Sequence, residues 1–312
     1  SEVGATALTA DSDAPVLTVQ CGWLSAVGDL VGDGVADDLL CHMYATDAEY
    51  SSGVGLVVHG TRRGEIDAFG QEDVRIDLGD VWLPFVGVDI ADDLDGDGID
   101  EVLVQDHSPE VVRLFRGPLL GAYTVEAADS TFGTDGIDAG WHAYSPPAGD
   151  VNGDGLPELL LSPNTFSADV SSILLLYEAT SDVRGPQELG DALARVESAN
   201  MGGVSWNFTE FATSGDFQGD GLADLVIPSF MGESEGSLWI VSGPFSGVIA
   251  EVESDPHIFL DREVSFKAAT DLNADGLDDL LLADSENHAT GWDAPRSRVE
   301  FIAGSSLSLL LP

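Results

Sequence analysis

Lysine is almost missing from this chain. Lys267 is the only one, and Lys and Arg together number 11 against 56 Asp and Glu, a formal charge of −45 over 312 residues. A polyanion gains nothing by releasing counterions from another polyanion, so nucleic acid and anionic membrane surfaces are poor partners. Cysteine is scarce as well: Cys21 and Cys41 match no zinc or thiol-redox spacing. No apolar run approaches the ~18–20 residues that span a bilayer, and no membrane insertion is expected. The opening SEVGATALTADSDAP lacks the basic and apolar regions of a signal peptide and reads as a mature or trimmed product. Helical periodicity is also lacking, apart from some helical character in QELGDALARVES at 187–198. No G-x-S-x-G, H-E-x-x-H or phosphate loop occurs, and the six histidines form no ligand or triad spacing, so the chain is not expected to be an enzyme. Disorder is excluded by a hydrophobic content of 44%, enough for a sizeable core.

What is present is a repeat. DLVGDGVAD at 29–37, DLDGDGIDE at 93–101, DVNGDGLPE at 150–158, DFQGDGLAD at 216–224 and DLNADGLDD at 271–279 all fit D-x-x-x-D-G-x-x-[DE], at intervals of 64, 57, 66 and 55 residues. A short apolar run follows each motif directly, and a second follows after a variable gap, as in GLVVHG at 55–60 or VEFIAG at 299–304. A third precedes each motif, and a weaker fourth follows the G or G-P punctuation, as in VRIDL at 74–78, AYTVEA at 122–127 and VIAEVE at 248–253. Runs of this length, rich in Leu, Val and Ile and bounded by Gly and Pro, read as strands. Four strands per unit of about 60 residues predict an all-β fold, a β-propeller of about five four-stranded blades. The expected units are 21–79, 80–140, 141–205, 206–262 and 263–312 of a single domain. Residues 1–20, including ATALT at 5–9 and VLTVQ at 16–20, are expected to pair into the last blade and close the ring.

In each motif, side-chain oxygens at positions 1, 3, 5 and 9 and a backbone carbonyl at position 7 can converge on one hard cation. Such an ion takes six to eight oxygens at ~2.3–2.6 Å, while the glycine at position 6 permits the sharp turn. The candidate ligand sets are Asp29, Asp33, Val35 and Asp37; Asp93, Asp95, Asp97, Ile99 and Glu101; Asp150, Asn152, Asp154, Leu156 and Glu158; Asp216, Gln218, Asp220, Leu222 and Asp224; and Asp271, Asn273, Asp275, Leu277 and Asp279. Without a cation, three or four carboxylates so close would repel. Calcium is the expected ion, about four to five per chain, with a structural role. The first loop, with Val31 at position 3, is expected to bind most weakly. The alternative is a plain Asp-Gly hairpin turn.

The pattern D-x-[DN]-x-D-G-x-x-[DE]-L-L, followed by a strand ending in G or G-P, resembles the FG-GAP/VCBS repeat over about residues 21–304. That repeat builds the β-propeller of integrin α-subunits and of many bacterial secreted proteins. The resemblance implies cation loops joining the two inner strands of each blade on one face, with ligands bound on the opposite face. Val31 departs from the pattern, and five units differ from the seven blades of integrins.

The hairpin centred near residues 31–33 sets Cys21 nearly opposite Cys41, where a disulfide competes with two buried thiols. Trp141, His142, Trp206 and Trp292 either offer an aromatic platform for a sugar or peptide, or fill wedges between blades. The expected function is a secreted or surface-exposed, calcium-binding adhesion or ligand-binding module whose partner is a protein or glycan. The rivals are a structural subunit that self-assembles into a surface layer or filament, and a non-catalytic part of a polysaccharide- or lipid-processing enzyme.

Overall fold

In the computed structural model the described residues are 17–20, 23–47, 50–62, 64–81, 88–106, 111–133, 139–140, 148–161, 164–165, 172–198, 213–230, 236–250, 257–260, 265–285 and 297–307. These form 25 strands, two single-turn 3-10 helices and one short α-helix, an all-β chain. After β1 (Leu17–Gln20), unit 1 contains β2 (Trp23–Gly28), β3 (Asp38–Asp47), β4 (Tyr50–Val58), β5 (Gly64–Asp67) and β6 (Val74–Val81). Unit 2 contains β7 (Val88–Ala91), β8 (Glu101–Asp106), β9 (Val111–Phe115), β10 (Gly121–Thr124) and β11 (Ser130–Gly133). Unit 3 runs through β12 (Ala139–Gly140), β13 (Leu159–Leu161), β14 (Asn164–Thr165), β15 (Ser172–Tyr177), β16 (Gly185–Gln187) and β17 (Ala194–Ser198). Unit 4 has β18 (Thr213–Gly215), β19 (Asp224–Phe230), β20 (Gly236–Val241), β21 (Gly247–Ala250) and β22 (His257–Leu260). Unit 5 has β23 (Ser265–Thr270), β24 (Asp279–Ser285), β25 (Ser297–Ile302) and α1 (Gly304–Leu307).

Each acidic motif is the turn of a hairpin, for instance between β2 and β3 or between β7 and β8. The third strand pairs antiparallel with the second, and an outer strand pairs with the third, as in β2-β3-β4-β6 and β7-β8-β9-β11. A fifth strand then arrives from the following unit and runs parallel to that outer strand: β10 on β6, β16 on β11, β21 on β17. AYTVEA and VIAEVE, expected as fourth strands of their own units, are therefore straps to the unit before. The fourth strands of units 2 and 4 are instead β11 and β22. Only VRIDL, within β6, is a fourth strand of its own unit. The one segment with helical character resolves into a 3-10 turn at Leu189–Asp191 and the strand β17.

The core lies between consecutive units. Leu30, Leu40, Val57 and Val74 of unit 1 pack with Val88, Val102, Phe115 and Leu119 of unit 2. The same pattern recurs between units 2 and 3 and between units 3 and 4. In unit 1 alternate residues serve opposite faces: Leu40 and Val57 join the core shared with unit 2, while Cys41, Leu56 and Val58 meet Val19 and Ile66. Burial on both faces explains why the strands read as unbroken apolar runs rather than as alternating ones.

Closure of the ring is not seen among the described residues. β1 pairs with β5 alone, and β25 is the edge of a three-stranded sheet. ATALT and the segment beyond residue 307 lie outside the described residues, as does Cys21; Cys41 is buried.

Candidate metal centre

All five loops share one backbone scaffold. The position-1 carboxylate accepts N–H groups of the turn: Asp93 takes those of Gly96, Asp97 and Gly98 at 2.7–3.0 Å, and Asp29 takes those of Gly32, Asp33 and Gly34 at 2.7–3.1 Å. Asp216 takes the same three, Asp150 takes those of Gly153 and Gly155, and Asp271 takes those of Asp275 and Gly276. Each position-5 Asp accepts the N–H of position 7, as Asp97 does from Ile99 at 2.9 Å. Carboxylates therefore line the turn even as a bare hairpin, and the repeated acids have a folding role of their own.

The position-9 acid is buried and accepts the N–H of position 2: Leu94 to Glu101, Val151 to Glu158, Phe217 to Asp224 and Leu272 to Asp279, at 2.7–3.3 Å. In loop 1 the matching bond runs from Leu30 to Asp38, at 2.9 Å. Loop 1 is one residue longer than the others, so Asp38, not Asp37, stands at the ninth position. Its second oxygen, Oδ1, lies 2.7 Å from Nδ1 of His59. The motif misses this because D-x-x-x-D-G-x-x-D is satisfied by Asp37 one residue early. Asp38→Ala is expected to lower stability by about 2 kcal/mol, since it leaves the buried Leu30 N–H unpaired. Asp37→Ala is expected not to change the number of cations bound, which metal analysis after desalting checks.

Loops 3, 4 and 5 satisfy the remaining oxygen of that acid with the amide at position 3. Asn152 donates to Glu158, Gln218 to Asp224 and Asn273 to Asp279, at 2.6–3.1 Å. Loop 2 has Asp95 there, which cannot donate. Its four acids, Asp93, Asp95, Asp97 and Glu101, bring one oxygen each within 4.8 Å of one another, the one such group among the described residues. Oδ1 of Asp95 and Oε1 of Glu101 are buried without a hydrogen-bond partner. Buried carboxylate oxygens without donors call for a cation, and an all-oxygen set suits a hard one. A cation held between Asp93, Asp95, Asp97 and Glu101 would supply the charge this loop lacks. The side chain of Arg116 is the local alternative, its Nε 3.4 Å from Asp95 Oδ2.

Burial, reinforced by neighbouring carboxylates, pushes Glu101 up to about 8, Glu158 up to about 7 and Asp224 up to about 6. These groups hold protons in the folded chain that the unfolded chain has released above pH ~4.5, so stability falls as pH rises from there toward 8. The protein in EDTA is expected to melt at lower temperature at pH ~8 than at ~5. The rise brought by calcium should grow over the same range, because cation and proton compete for the same oxygens. A melt series across pH with and without calcium checks both.

The loops also meet across units. The position-8 N–H of one loop donates to the position-1 carbonyl of the loop before it: Asp100 to Asp29, Ala223 to Asp150 and Asp278 to Asp216, at 2.7–2.9 Å. The carboxylates of Asp100 and Asp278 return the contact by accepting the N–H of Asp29 and Asp216, both at 2.8 Å. Pro157 holds position 8 in loop 3 and has no N–H to give. Ordering one loop therefore props its neighbour. Trp141, His142, Trp206 and Trp292 lie outside the described residues.

Comparison of the chain with curated proteins gives no match. Residues 93–161, from the start of loop 2 through loop 3 and β13, match the family model of the FG-GAP-like repeat, so that stretch of the chain carries an FG-GAP-like repeat.

Proposed function

We propose that the five units are the blades of a closed β-propeller whose loops bind calcium as a structural ion. The protein then acts outside the cell, secreted or at the surface, as a non-catalytic module for adhesion to a protein or glycan ligand. The observation that carries the calcium reading is loop 2, where four acids converge around two buried, undonated oxygens. The loops sit at the seams between units, so cations there would brace the stack. The exposed face opposite them would be left to the ligand. Secretion follows from the same chemistry, because millimolar calcium is found outside cells and not within them.

A glycan and matrix-protein array, probed in millimolar calcium and again in EDTA, tests the ligand reading. Hits that require calcium would support an adhesion module. Silence from a folded, calcium-loaded protein would refute that role and leave a self-assembling subunit as the better reading.

A further inference from the structure

In every loop the position-9 acid gives one oxygen to the N–H of position 2, and what meets its second oxygen differs from loop to loop. In loops 3, 4 and 5 the position-3 amide donates to it: Asn152 to Glu158, Gln218 to Asp224 and Asn273 to Asp279. In loop 2 Oε1 of Glu101 is buried without a hydrogen-bond partner. Loop 1 has Val31 at position 3, a side chain with neither donor nor oxygen. There the second oxygen of the fully buried Asp38 is met from elsewhere, by His59 Nδ1 at 2.7 Å. An N–H at Nδ1 can donate to that carboxylate whether the imidazole is neutral or charged.

His59 is set in place by the same frame that holds Arg116 beside loop 2. Val58 pairs with Leu39 and Phe115 with Val102, the residues that follow the two position-9 acids. His59 and Arg116 therefore leave the third strand at one equivalent point. Asp73 accepts the N–H of His59 at 2.9 Å, as Asp129 accepts that of Arg116 at 3.0 Å. By the same pairing the corresponding residues of units 3, 4 and 5 are Glu178, Ser242 and Ala303, none of them basic. Those are the units whose position-3 amides already serve the acid.

A cation finds little in loop 1. Position 3 offers no oxygen, and the Val35 carbonyl at position 7 accepts the N–H of Asp37 at 2.8 Å. Both oxygens of Asp38 are engaged, one by the Leu30 N–H and one by His59. Asp29 and Asp33 are what is left, whereas a hard cation takes six to eight oxygens and is poorly served by an imidazole nitrogen. The residues of loop 1 do not fit the ion. We infer that loop 1 takes no cation and that the His59 imidazole completes it instead, a substitute carried by the chain itself. This rests on the calcium reading above and narrows it to loops 2 to 5. Loop 1 is then held as firmly in EDTA as in calcium.

Metal analysis of protein equilibrated in millimolar calcium and then desalted tests the first half. Asp38→Asn should hold as many ions as the parent chain, whereas Glu101→Gln should hold one fewer. Should Asp38→Asn fail to fold, Asp33→Asn and Asp97→Asn make the same comparison at the exposed position 5. Loss of an ion from Asp38→Asn or Asp33→Asn would overturn the inference and leave the calcium reading standing. Thermal melts test the second half. His59→Ala should lower the midpoint by about 4 °C in EDTA and in calcium alike, because a buried carboxylate oxygen loses its donor. His59→Asn, whose Nδ2 stands near the place of Nδ1, should restore at least about half of that drop. A midpoint that ignores His59→Ala would overturn the inference too. A parent chain that binds no calcium, with the His59→Ala drop still present, would refute the calcium reading and keep His59 as the partner that completes loop 1.

Discussion

Millimolar calcium is expected to raise the thermal midpoint of the EDTA-treated protein by more than about 10 °C. A site with Kd of ~10⁻⁴ M contributes about 1.4 kcal/mol at that concentration, so four or five sites give roughly 6–7 kcal/mol. For large domains each kcal/mol moves the midpoint by about 2 °C or more. The effect should be cooperative along the chain, because the loop of each unit hydrogen-bonds to the next at three seams. Glu101→Gln should reduce the rise by removing the acid that anchors loop 2. Differential scanning calorimetry in calcium and in EDTA reads both effects, and equal midpoints in the two buffers would defeat the calcium reading.

Removal of Arg116 should cost about 3 kcal/mol or more in EDTA and clearly less in calcium. Its guanidinium and the carboxylate of Asp95 are both at least 95% buried. Arg116 also donates to Ser130 Oγ at 3.0 Å and to the carbonyls of Ala179 and Thr180 in unit 3 at 2.8 and 3.0 Å. It thus staples the seam where Pro157 cannot contribute the hydrogen bond seen at other seams. Truncation to Ala leaves a buried carboxylate uncompensated, the costly way to break an ion pair. A cation in loop 2 would take over that compensation, so the penalty of Arg116→Ala should shrink when calcium is added. Urea melts of both proteins in both buffers form the cycle that measures this coupling. A penalty unchanged by calcium would place Arg116 outside the influence of the site.

The repeat was legible because its period, its acids and its apolar runs are all local, and five copies align without gaps except in the first. That exception misled: one inserted residue, Ala36 or its neighbour, lets Asp37 satisfy the pattern while Asp38 does the work. Only a backbone bond from Leu30 reveals the shift. Strap strands were legible as strands but not as partners of the preceding unit, since parallel pairing between units leaves no mark on local sequence. The role of position 3 was half visible. The sequence offers Asn152, Gln218 and Asn273 as ligands, and the structure shows their amide nitrogens donating to the position-9 acid. That leaves Asp95 as the residue that sets loop 2 apart. Arg116 had no sequence signature, because the partners of its side chain lie 14 to 64 residues away.

A crystal structure of the protein grown in millimolar calcium tests the central claim most directly. The prediction is a single ion in loop 2, bound by Asp93, Asp95, Asp97, the Ile99 carbonyl and Glu101 at ~2.3–2.6 Å. Arg116 should then be withdrawn from Asp95. Loop 2 free of any ion under those conditions, with Arg116 still against Asp95, would contradict it.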